Sequence, residues 1–564
     1  MDAAPFLFDM IHHNPGDTPM DSAFLDPAHL KAYGYQGQAF KHINTVVTFA
    51  KLAPGVFPAT PEESQWLAKT RDRIHQEIED AKAQGLSVYY HIDLFVLPQR
   101  IVDHFAERLT DPRTGRISLD QPFTLELHRV LLDEIFSEFP KVDGLIIRVG
   151  ETYLFDTPFH TGNGAVHYAL DNPEDNKIRH FVQLLQFLRA EVCVKHERLL
   201  IHRTWDTWPT RFHASLDFYL KVTNQIPPHP RLLFSVKHTI VDFHRWVAFN
   251  PCLMQGQHRQ VVEVQCQREY EGKGAYPNYP VHGVIHGFSE QQPRRGLQEI
   301  VDHPLFAGIY TWSRGGGWFG PEVTRENELW CDLNAYVIAH WARNPARPEA
   351  EIFMDYAQKE LSMLPADAQR FRRIALISLD AVLKGKCCAR YDQRPKEQPG
   401  YPTNQWMRDD VLHGMEKLEH PFQYLLEVNG VQDALTEKAE SVACWREMRA
   451  ICDTISLETP AAVREQLTTS VEYGLRLFTA IEAAWRALLT GYEMEHGRAV
   501  LPDTLATALS DFDRAWAHYE ALPSEYPRCA TLYRPKGWAW PGKALPPGLS
   551  GAINHCRTLC PTLV

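Results

Sequence analysis

Long apolar runs and clustered basic residues are both missing from this 564-residue chain. No uninterrupted apolar stretch approaches the roughly 20 residues that cross a bilayer, and no basic region precedes the short apolar stretch at the start. We therefore expect a soluble, cytoplasmic protein without a membrane partner; the alternative is an exported protein whose signal peptide has been removed. The net charge of -12 and the lack of a Lys/Arg run argue against nucleic acid as a partner.

Metal-binding and phosphate-binding motifs are also scarce. The eleven cysteines are spread thinly, and Cys556 with Cys560 lacks a second ligand pair, so no structural zinc signature is present. Cys266 lies inside an apolar strand pattern, which predicts a buried free thiol. The glycine run 315–317 is not followed by the GKS or GKT of a phosphate loop, and close backbone packing under Trp318 explains it better. We expect no metal and no cofactor.

What the chain does contain is a repeated pattern in which an apolar segment ends in charged or glycine residues. Eight such segments lie at 6–13, 32–37, 86–98, 142–153, 198–206, 232–243, 260–270 and 307–315, and 43–52 competes for the second place. Helical patterns separate several of them. Strand and helix alternation specifies a parallel sheet, and eight units predict an α/β fold, a (β/α)8 TIM barrel.

The pattern changes after Pro321, where apolar residues recur at three- and four-residue spacing. We predict a catalytic barrel over 1–322, an all-helical C-terminal domain over 323–522, and an irregular tail over 523–564 that packs on the surface. The segment LWCDLNAYVIAHW (329–341) has exposed Trp and Leu in this interpretation. It would suit either substrate enclosure or a homo-oligomer formed through the helical domain.

Active sites of parallel barrels lie at the carboxyl ends of the strands, so the residues there are the candidates. Three of them are the carboxylates Glu151, Asp242 and Glu269. Two carboxyl groups that face each other across a sugar ring can catalyse the hydrolysis of a glycosidic bond. The others would bind substrate, since aromatic rings stack on sugars and polar groups hydrogen-bond to hydroxyls. They are His12, His13, His91, Asp93, Arg148, Arg203, Trp205, Lys237, His238, Tyr270, Trp312 and Arg314.

Each candidate has a structural alternative. Glu151 could cap the following helix, Asp242 could pair with Lys237, and Glu269 could belong to a loop ion pair. Arg148 and Arg203 form rim salt bridges as readily as ligand contacts. The histidines His12, His13 and His91 suggest a metal together with Asp93, but their spacing matches no ligand pattern.

Three segments resemble the family-67 glycoside hydrolases, the α-glucuronidases, over about residues 140–320. VKHTIVDFH is similar to the family's IKNGPxDFQ and aligns Lys237 and Asp242, and EVQCQREYEG is similar to ELQITQEYLG and aligns Glu269. RVGETY supplies Arg148 and Glu151 in a setting similar to the family's Lys and catalytic acid. The chain departs from the family in three ways. It lacks the family's amino-terminal domain before the barrel, Arg148 replaces the family's Lys, and His238 replaces its Asn.

The resemblance implies an inverting enzyme in which Glu151 is the general acid and Glu269 with Asp242 activates water. It also implies that Arg148 and Arg203 hold the substrate carboxylate. Our leading hypothesis is a glycoside hydrolase that removes a terminal sugar, a uronic acid, from an oligosaccharide. The alternatives are a glycosidase for a neutral or amino sugar, a metal-dependent hydrolase or lyase, and a carbohydrate-binding barrel without catalysis.

Overall fold

A closed parallel barrel forms the first part of the molecule in the computed structural model, which describes residues 6–13, 19–150, 152, 154, 157–164, 174–206, 211–394, 402–408, 410–537 and 544–560. Its strands, in chain order, are Phe6–Asp9, Gly37–Lys41, Ser87–Asp93, Gly144–Arg148, Leu199–Arg203, Leu232–Lys237, Gln260–Gln265 and Phe306–Trp312. Each strand pairs in parallel with its sequence neighbours, and the first closes on the eighth. The predicted (β/α)8 barrel followed by a helical region is confirmed.

The second strand is where the sequence prediction was wrong. Neither 32–37 nor 43–52 forms it; the strand is Gly37–Lys41, and Ile43–Val46 is a short 3-10 turn. The buried Gln38 breaks the apolar alternation because its amide donates to the carbonyl of Phe24 instead of facing water. The apolar run after it is buried as a loop.

In the described parts of the chain, nine helices lie between the barrel strands and a tenth follows the eighth strand. They are α1 (Pro27–Ala32), α2 (Pro61–Ala83), α3 (Gln99–His104), α4 (Ala106–Leu109), α5 (Pro122–Glu138), α6 (Glu174–Leu188), α7 (Arg211–Ala214), α8 (Leu216–Thr223), α9 (Pro280–His286) and α10 (Leu329–Arg343). The start of α2 follows from its sequence: Thr60 and Glu63 form a reciprocal capping box, and Pro61 occupies the first turn. Its end follows too, since Gly85 just beyond has a φ of 69°.

A bundle of helices follows the barrel. It comprises α11 (Glu349–Asp355), α12 (Pro365–Lys386), α13 (Ala389–Asp392), α14 (Met415–Glu427), α15 (Val431–Cys452), α16 (Ala461–Glu495), α17 (Pro502–Glu520), α18 (Leu522–Glu525) and α19 (Gly548–Thr558). Helices α12, α15, α16 and α17 pack side by side in that order. The last helix lies in the tail that we expected to be irregular. Leu549, Ile553 and Cys556 form its buried face at helical spacing, which explains why it folds.

Helix α10 is not the exposed surface that its sequence suggested. Trp330 and Trp341 are both buried, and the indole of Trp330 donates to the Ser470 hydroxyl of α16 at 3.0 Å. This helix therefore joins the barrel to the bundle. Oligomerisation through the helical region stays a prediction, as do the domain boundaries at 322 and 522.

Two further features concern the cysteines and the apolar character of the helices. All eleven cysteines are free thiols, and Cys266 is buried in the wall of the barrel as predicted. Among the described residues, no helix combines the length and apolar character needed to cross a membrane.

Candidate active site

Trp312, at the end of the eighth strand, is the centre of the barrel mouth. The His12 ring stacks on it with ring centroids 4.2 Å apart, and the Arg203 guanidinium lies 5.1 Å from its ring centroid. The Lys237 ammonium lies 5.5 Å from the same ring and 3.6 Å from the ring of Trp205. Residues from the first, fifth, sixth and eighth strands thus converge, as expected of a barrel site.

Several polar atoms in this mouth are buried without a partner among the described residues. They are both ring nitrogens of His12, Nε2 of His238 and the indole nitrogen of Trp312. A buried polar atom without a hydrogen bond costs about 1–3 kcal/mol, so such atoms rarely persist in a folded interior unless a ligand or water satisfies them. Their concentration around Trp312 indicates a binding site for a polar ligand.

Asp242 follows the sixth strand, and one of its oxygens accepts a hydrogen bond from Nζ of Lys237 at 2.8 Å. Its side chain keeps 16% of its surface exposed, whereas Lys237 is buried. Burial alone would raise the pKa of Asp242, but the positive charge of Lys237 and the hydrogen bond from it hold that pKa below its ordinary value. Asp242 is therefore an ionised carboxylate at the edge of the mouth.

Glu269 lies near Trp312, four residues beyond the seventh strand. Its backbone N–H donates to the side-chain oxygen of Gln265 at 2.7 Å. A methyl group on Gly316 would lie 2.7 Å from Oε2 of Glu269 and 3.3 Å from the Trp312 ring, and the φ of Gly316 is 79°. The carboxylate is thus buried against a turn that only glycine accommodates.

The glycine run 315–317 packs closely against the chain that follows the first strand. A methyl group on Gly315 would meet the backbone of His12 at 2.1 Å, and the two residues form a β-bridge. This close approach agrees with the predicted role of the run in backbone packing. It also extends the contact between the first and eighth strands up to the site.

Arg203 and Arg148, the predicted carboxylate clamp, are each engaged by a carboxylate of the chain itself. Arg203 forms two hydrogen bonds of 2.8 Å to Glu263, and both side chains are fully buried. Arg148 binds both oxygens of Asp93 at 2.7 and 2.8 Å. Both guanidiniums therefore use the paired N–H geometry that a substrate carboxylate would need.

The histidines of the mouth are neutral. Burial, followed by the positive charge of Arg203, lowers the pKa of His91 well below its usual range, and burial with Lys41 does the same for His12. Burial and Lys41 lower the pKa of His13 to about 4. The Nε2 atom of His91 lies 3.4 Å from Nη1 of Arg203.

A small cleft opens beside these histidines, between the ends of the second, third and fourth strands. His13, Lys41, His91, Asp93 and Arg148 form part of its wall. Because Asp93 keeps 16% of its side chain exposed, the Arg148–Asp93 pair is accessible from this cleft.

Metal-ligand atoms do not gather at the mouth in the part of the chain that the structure describes. They gather instead at His282, His286 and Glu349, where α9 meets α11. Glu349 accepts hydrogen bonds from Arg372 at 2.8 Å through both of its oxygens and another from Tyr279. This cluster is an ion-pair network that ties the barrel to the bundle.

The remaining predicted residues are placed as follows. Arg314 donates to Gln267 at 2.7 Å and to the carbonyl of Val323 at 3.0 Å, and it pairs with Glu328. It therefore anchors the chain after the barrel. Glu151 and its neighbour Tyr153 lie outside the described residues. Gly150 is described, and its backbone packs against Trp205 and Asp206 at the mouth.

Three charged residues at the mouth were not among the predicted ones. Glu263 is an acid in the middle of an apolar strand, and that position alone signals a buried partner. Glu271 pairs with Arg268, and this cation keeps its pKa, at about 2, below the ordinary value although burial opposes it. Arg408, from the helical region, donates to the hydroxyl of Tyr270 at 2.9 Å, and no sequence pattern pointed to it.

Comparison with known proteins identifies the fold. No protein-family model matches the chain, and no curated protein matches its sequence. A solved structure of a GH138 enzyme targeting pectin rhamnogalacturonan II aligns with a TM-score of 0.58 and 11% identity, over 98% of this chain and 83% of that one. A mutant O-GlcNAc hydrolase from Thermobaculum terrenum aligns with a TM-score of 0.34 and 11% identity, over 99% and 94% of the two chains.

A chitobiase from Flavobacterium johnsoniae aligns with a TM-score of 0.34 and 12% identity, over 92% of this chain and 78% of that one. At such low sequence identity, structural similarity indicates a shared fold and nothing more. The GH138 structure, with its TM-score of 0.58, is the one that supports this conclusion. The resemblance to family 67 stays a prediction. What this protein shares with a solved structure, over nearly its whole length, is a (β/α)8 barrel with its helical region.

Proposed function

We propose that the protein is a glycoside hydrolase that removes a terminal uronic acid from an oligosaccharide with inversion of configuration. The observation that carries the proposal is the pair of carboxylates, Asp242 and Glu269, in the mouth around Trp312, where several polar atoms are unsatisfied. Asp242 binds the Lys237 ammonium, which lies 5.5 Å from the Trp312 ring, and Glu269 lies next to Gly316 beside that ring. A sugar can stack on the indole while its hydroxyls pair with those atoms. The barrel fold shared with the GH138 enzyme supports a carbohydrate substrate.

The chemistry assigns one role to each carboxyl group. Glu151, three residues after the fourth strand in the sequence, would be the acid that protonates the leaving oxygen. Asp242, ionised because of Lys237, would take a proton from water with the help of Glu269 as that water attacks the anomeric carbon. Inversion requires an acid-to-base separation of roughly 6.5–9.5 Å, which leaves room for the water.

Neutral histidines suit this mechanism. Because the imidazole of His12 carries no charge and both of its nitrogens are unsatisfied, it can offer both a donor and an acceptor to sugar hydroxyls. The positive charge that develops on the sugar ring in the transition state would therefore not be repelled by a protonated imidazole. The buried Arg203–Glu263 pair adds no net charge.

The test is hydrolysis followed by proton NMR, which reports the sugar released and its anomeric configuration. The panel comprises α- and β-glucuronides, galacturonides, glucosides, galactosides and N-acetylglucosaminides, with pectin-derived oligosaccharides added because of the GH138 likeness. We expect wild type to release an inverted uronic acid and Glu151→Gln to be inactive on every substrate with a poor leaving group.

Other outcomes would redirect the proposal. Cleavage of neutral or N-acetylated glycosides alone would favour the alternative glycosidase. Retention of configuration would overturn the single displacement. Sugar binding without turnover by both proteins would favour a carbohydrate-binding barrel.

A further inference from the structure

We propose that His282, His286 and Glu349 bind a divalent transition metal ion, Zn²⁺, at the junction between the barrel and the helical bundle. The inference goes beyond the proposed function and does not rest on it. Helix α9, which carries the two histidines, lies between the seventh and eighth strands, and α11, which begins at Glu349, is the first helix of the bundle. An ion bound by residues of both helices fixes the bundle to the barrel.

The three ligand atoms lie close to the spacing that zinc requires. One ring nitrogen of each histidine and one oxygen of Glu349 all lie within 4.8 Å of one another. Oε2 of Glu349 lies 3.1 Å from Nδ1 of His282 and 3.8 Å from Nε2 of His286. In a tetrahedral site with zinc–ligand bonds of about 2.0–2.1 Å, neighbouring ligand atoms lie about 3.3–3.4 Å apart. Small side-chain shifts therefore complete the geometry.

The spacing of the two histidines suits a metal bound on one face of a helix. His282 and His286 are four residues apart in α9, so their rings share a face, and the ring centroids are 4.9 Å apart. A histidine pair at this spacing supplies two nitrogens to one zinc ion in helical zinc sites. Imidazole nitrogens favour zinc, copper and nickel, whereas magnesium and calcium prefer oxygen ligands. The donor set therefore selects a transition metal.

Hydrogen bonds outside the cluster orient two of the three ligands. Oε1 of Gln298 accepts a hydrogen bond from Nδ1 of His286 at 2.8 Å, which leaves Nε2 of the neutral ring with its lone pair toward Glu349. Glu349 is 1% exposed and is held by Arg372 through both oxygens at 2.8 Å and by the Tyr279 hydroxyl. Metal ligands in proteins are typically held by outer hydrogen bonds of this kind.

The contacts already made by Glu349 leave room for the ion. A carboxylate oxygen has two acceptor positions, so Oε2 can keep its bond to Arg372 and bind the ion on the side of the histidines. The ion takes the place of the proton shared between Nδ1 of His282 and Oε2, and that proton is released to solvent. His282 and His286 are 26% and 32% exposed, so the ion can enter from solvent and water can supply the fourth ligand.

Zinc binding by the full-length protein, without an affinity tag, tests the inference directly. Titration calorimetry measures the affinity and stoichiometry for Zn²⁺ in wild type, His282→Gln, His286→Gln and Gln298→Leu, with Mg²⁺ as the oxygen-preferring probe. His555→Gln is the matched control, because His555 also pairs with a glutamate, Glu495, on the surface of the bundle. The two histidines of the site are replaced one at a time because both are partly exposed, so neither change leaves a buried charge unpaired.

We expect one zinc ion per chain in wild type and in the control. Loss of an outer hydrogen bond to a metal ligand typically weakens binding about 10- to 100-fold, so Gln298→Leu, at an exposed residue, should lose about 10-fold in zinc affinity. Loss of a ligand itself, in His282→Gln or His286→Gln, should cost about 100-fold or more. Zinc should raise the melting temperature of wild type and the control, and at the same concentration leave that of both histidine variants unchanged.

Three results would overturn the inference. They are a wild type that binds no zinc, a wild type that binds Mg²⁺ as tightly as Zn²⁺, and zinc binding that is unchanged in both histidine variants and therefore belongs to another part of the protein. Co²⁺ adds a geometric readout, since the tetrahedral ion absorbs visible light far more strongly than the hydrated ion. Strong absorption should appear in wild type and be lost in both histidine variants. None of these measurements involves sugar cleavage, so their failure leaves the proposed function in place.

Discussion

The barrel mouth and the helical bundle use charge in opposite ways. At the mouth, Arg203–Glu263 and Arg268–Glu271 are ion pairs whose members are all at most 1% exposed. In the bundle, pairs such as Arg373–Glu447, at 67% and 45% exposure, lie on the surface over a core of aromatic and aliphatic side chains. Burying a charge costs several kcal/mol per ion, so a buried pair adds little net stability, but the loss of one partner costs much more than the loss of an exposed pair.

A carboxylate that takes part in the reaction should matter more to chemistry than to folding. Glu269→Gln should lower kcat/KM by about 10²–10⁴-fold, because the amide cannot take a proton from water. Its melting temperature should stay near that of wild type, since the replacement keeps size and hydrogen-bonding oxygen. Rates on a uronide, measured beside thermal unfolding, check this. Activity within about threefold of wild type would remove Glu269 from the catalytic set.

Removing one partner of a buried pair should be the largest effect on folding. Glu263→Gln leaves the Arg203 guanidinium without its counter-charge in a site that water does not reach. We expect the free energy of unfolding to fall by about 3–5 kcal/mol, measured by urea denaturation. A loss below about 1 kcal/mol would show that the two regions do not differ in the way their burial indicates.

The pH profile should reveal the coupling of Lys237 to Asp242. Asp242 must be ionised to act as a base, and its pKa is below the ordinary value, so wild-type activity should persist at acidic pH. Lys237→Met removes the ammonium, which raises the pKa of Asp242 and moves the acid limb of kcat/KM up by about 1–3 pH units. Arg373→Gln is the control, and a profile that does not move would exclude Asp242 as the titrating base.

The smallest effect belongs to the bundle surface. Glu447→Gln breaks the exposed pair with Arg373, which should change the free energy of unfolding by about 0–1 kcal/mol and leave kcat unchanged. It is the matched partner of Glu263→Gln, with the same chemical change at the other extreme of burial. Equal losses in the two variants would contradict the comparison.

The sequence predicts the barrel well because seven of its strands are apolar runs that end in polar residues. It fails at the second strand, where the buried Gln38 hides the alternation, and in the tail, where a helix forms inside a Pro- and Gly-rich stretch. Local pattern cannot reveal a contact whose partner is distant. Burial of a strand can be read from its own residues, but the partner of a charge cannot.

The candidate site shows this limit most clearly. The strand ends place Trp312, Asp242 and Glu269 correctly at the mouth, because a barrel brings all such ends together. That Arg203 is paired with Glu263, 60 residues away, and that Arg408 reaches Tyr270 across 138 residues, depends on the packed fold. A short two-residue strand like that of Arg408 carries no signal of its own.

The closure of the barrel also constrains how the chain is made. The first strand pairs with the eighth, and the Thr311 hydroxyl donates to Asp9 across 302 residues of sequence. At a synthesis rate of about 5–20 residues per second, the first strand waits roughly 15–60 s on the ribosome before its partner exists. During that interval Phe6–Asp9 presents an unpaired strand edge. The cell must keep this segment from pairing elsewhere, and chaperone dependence should therefore follow the first strand rather than the helices that emerge last.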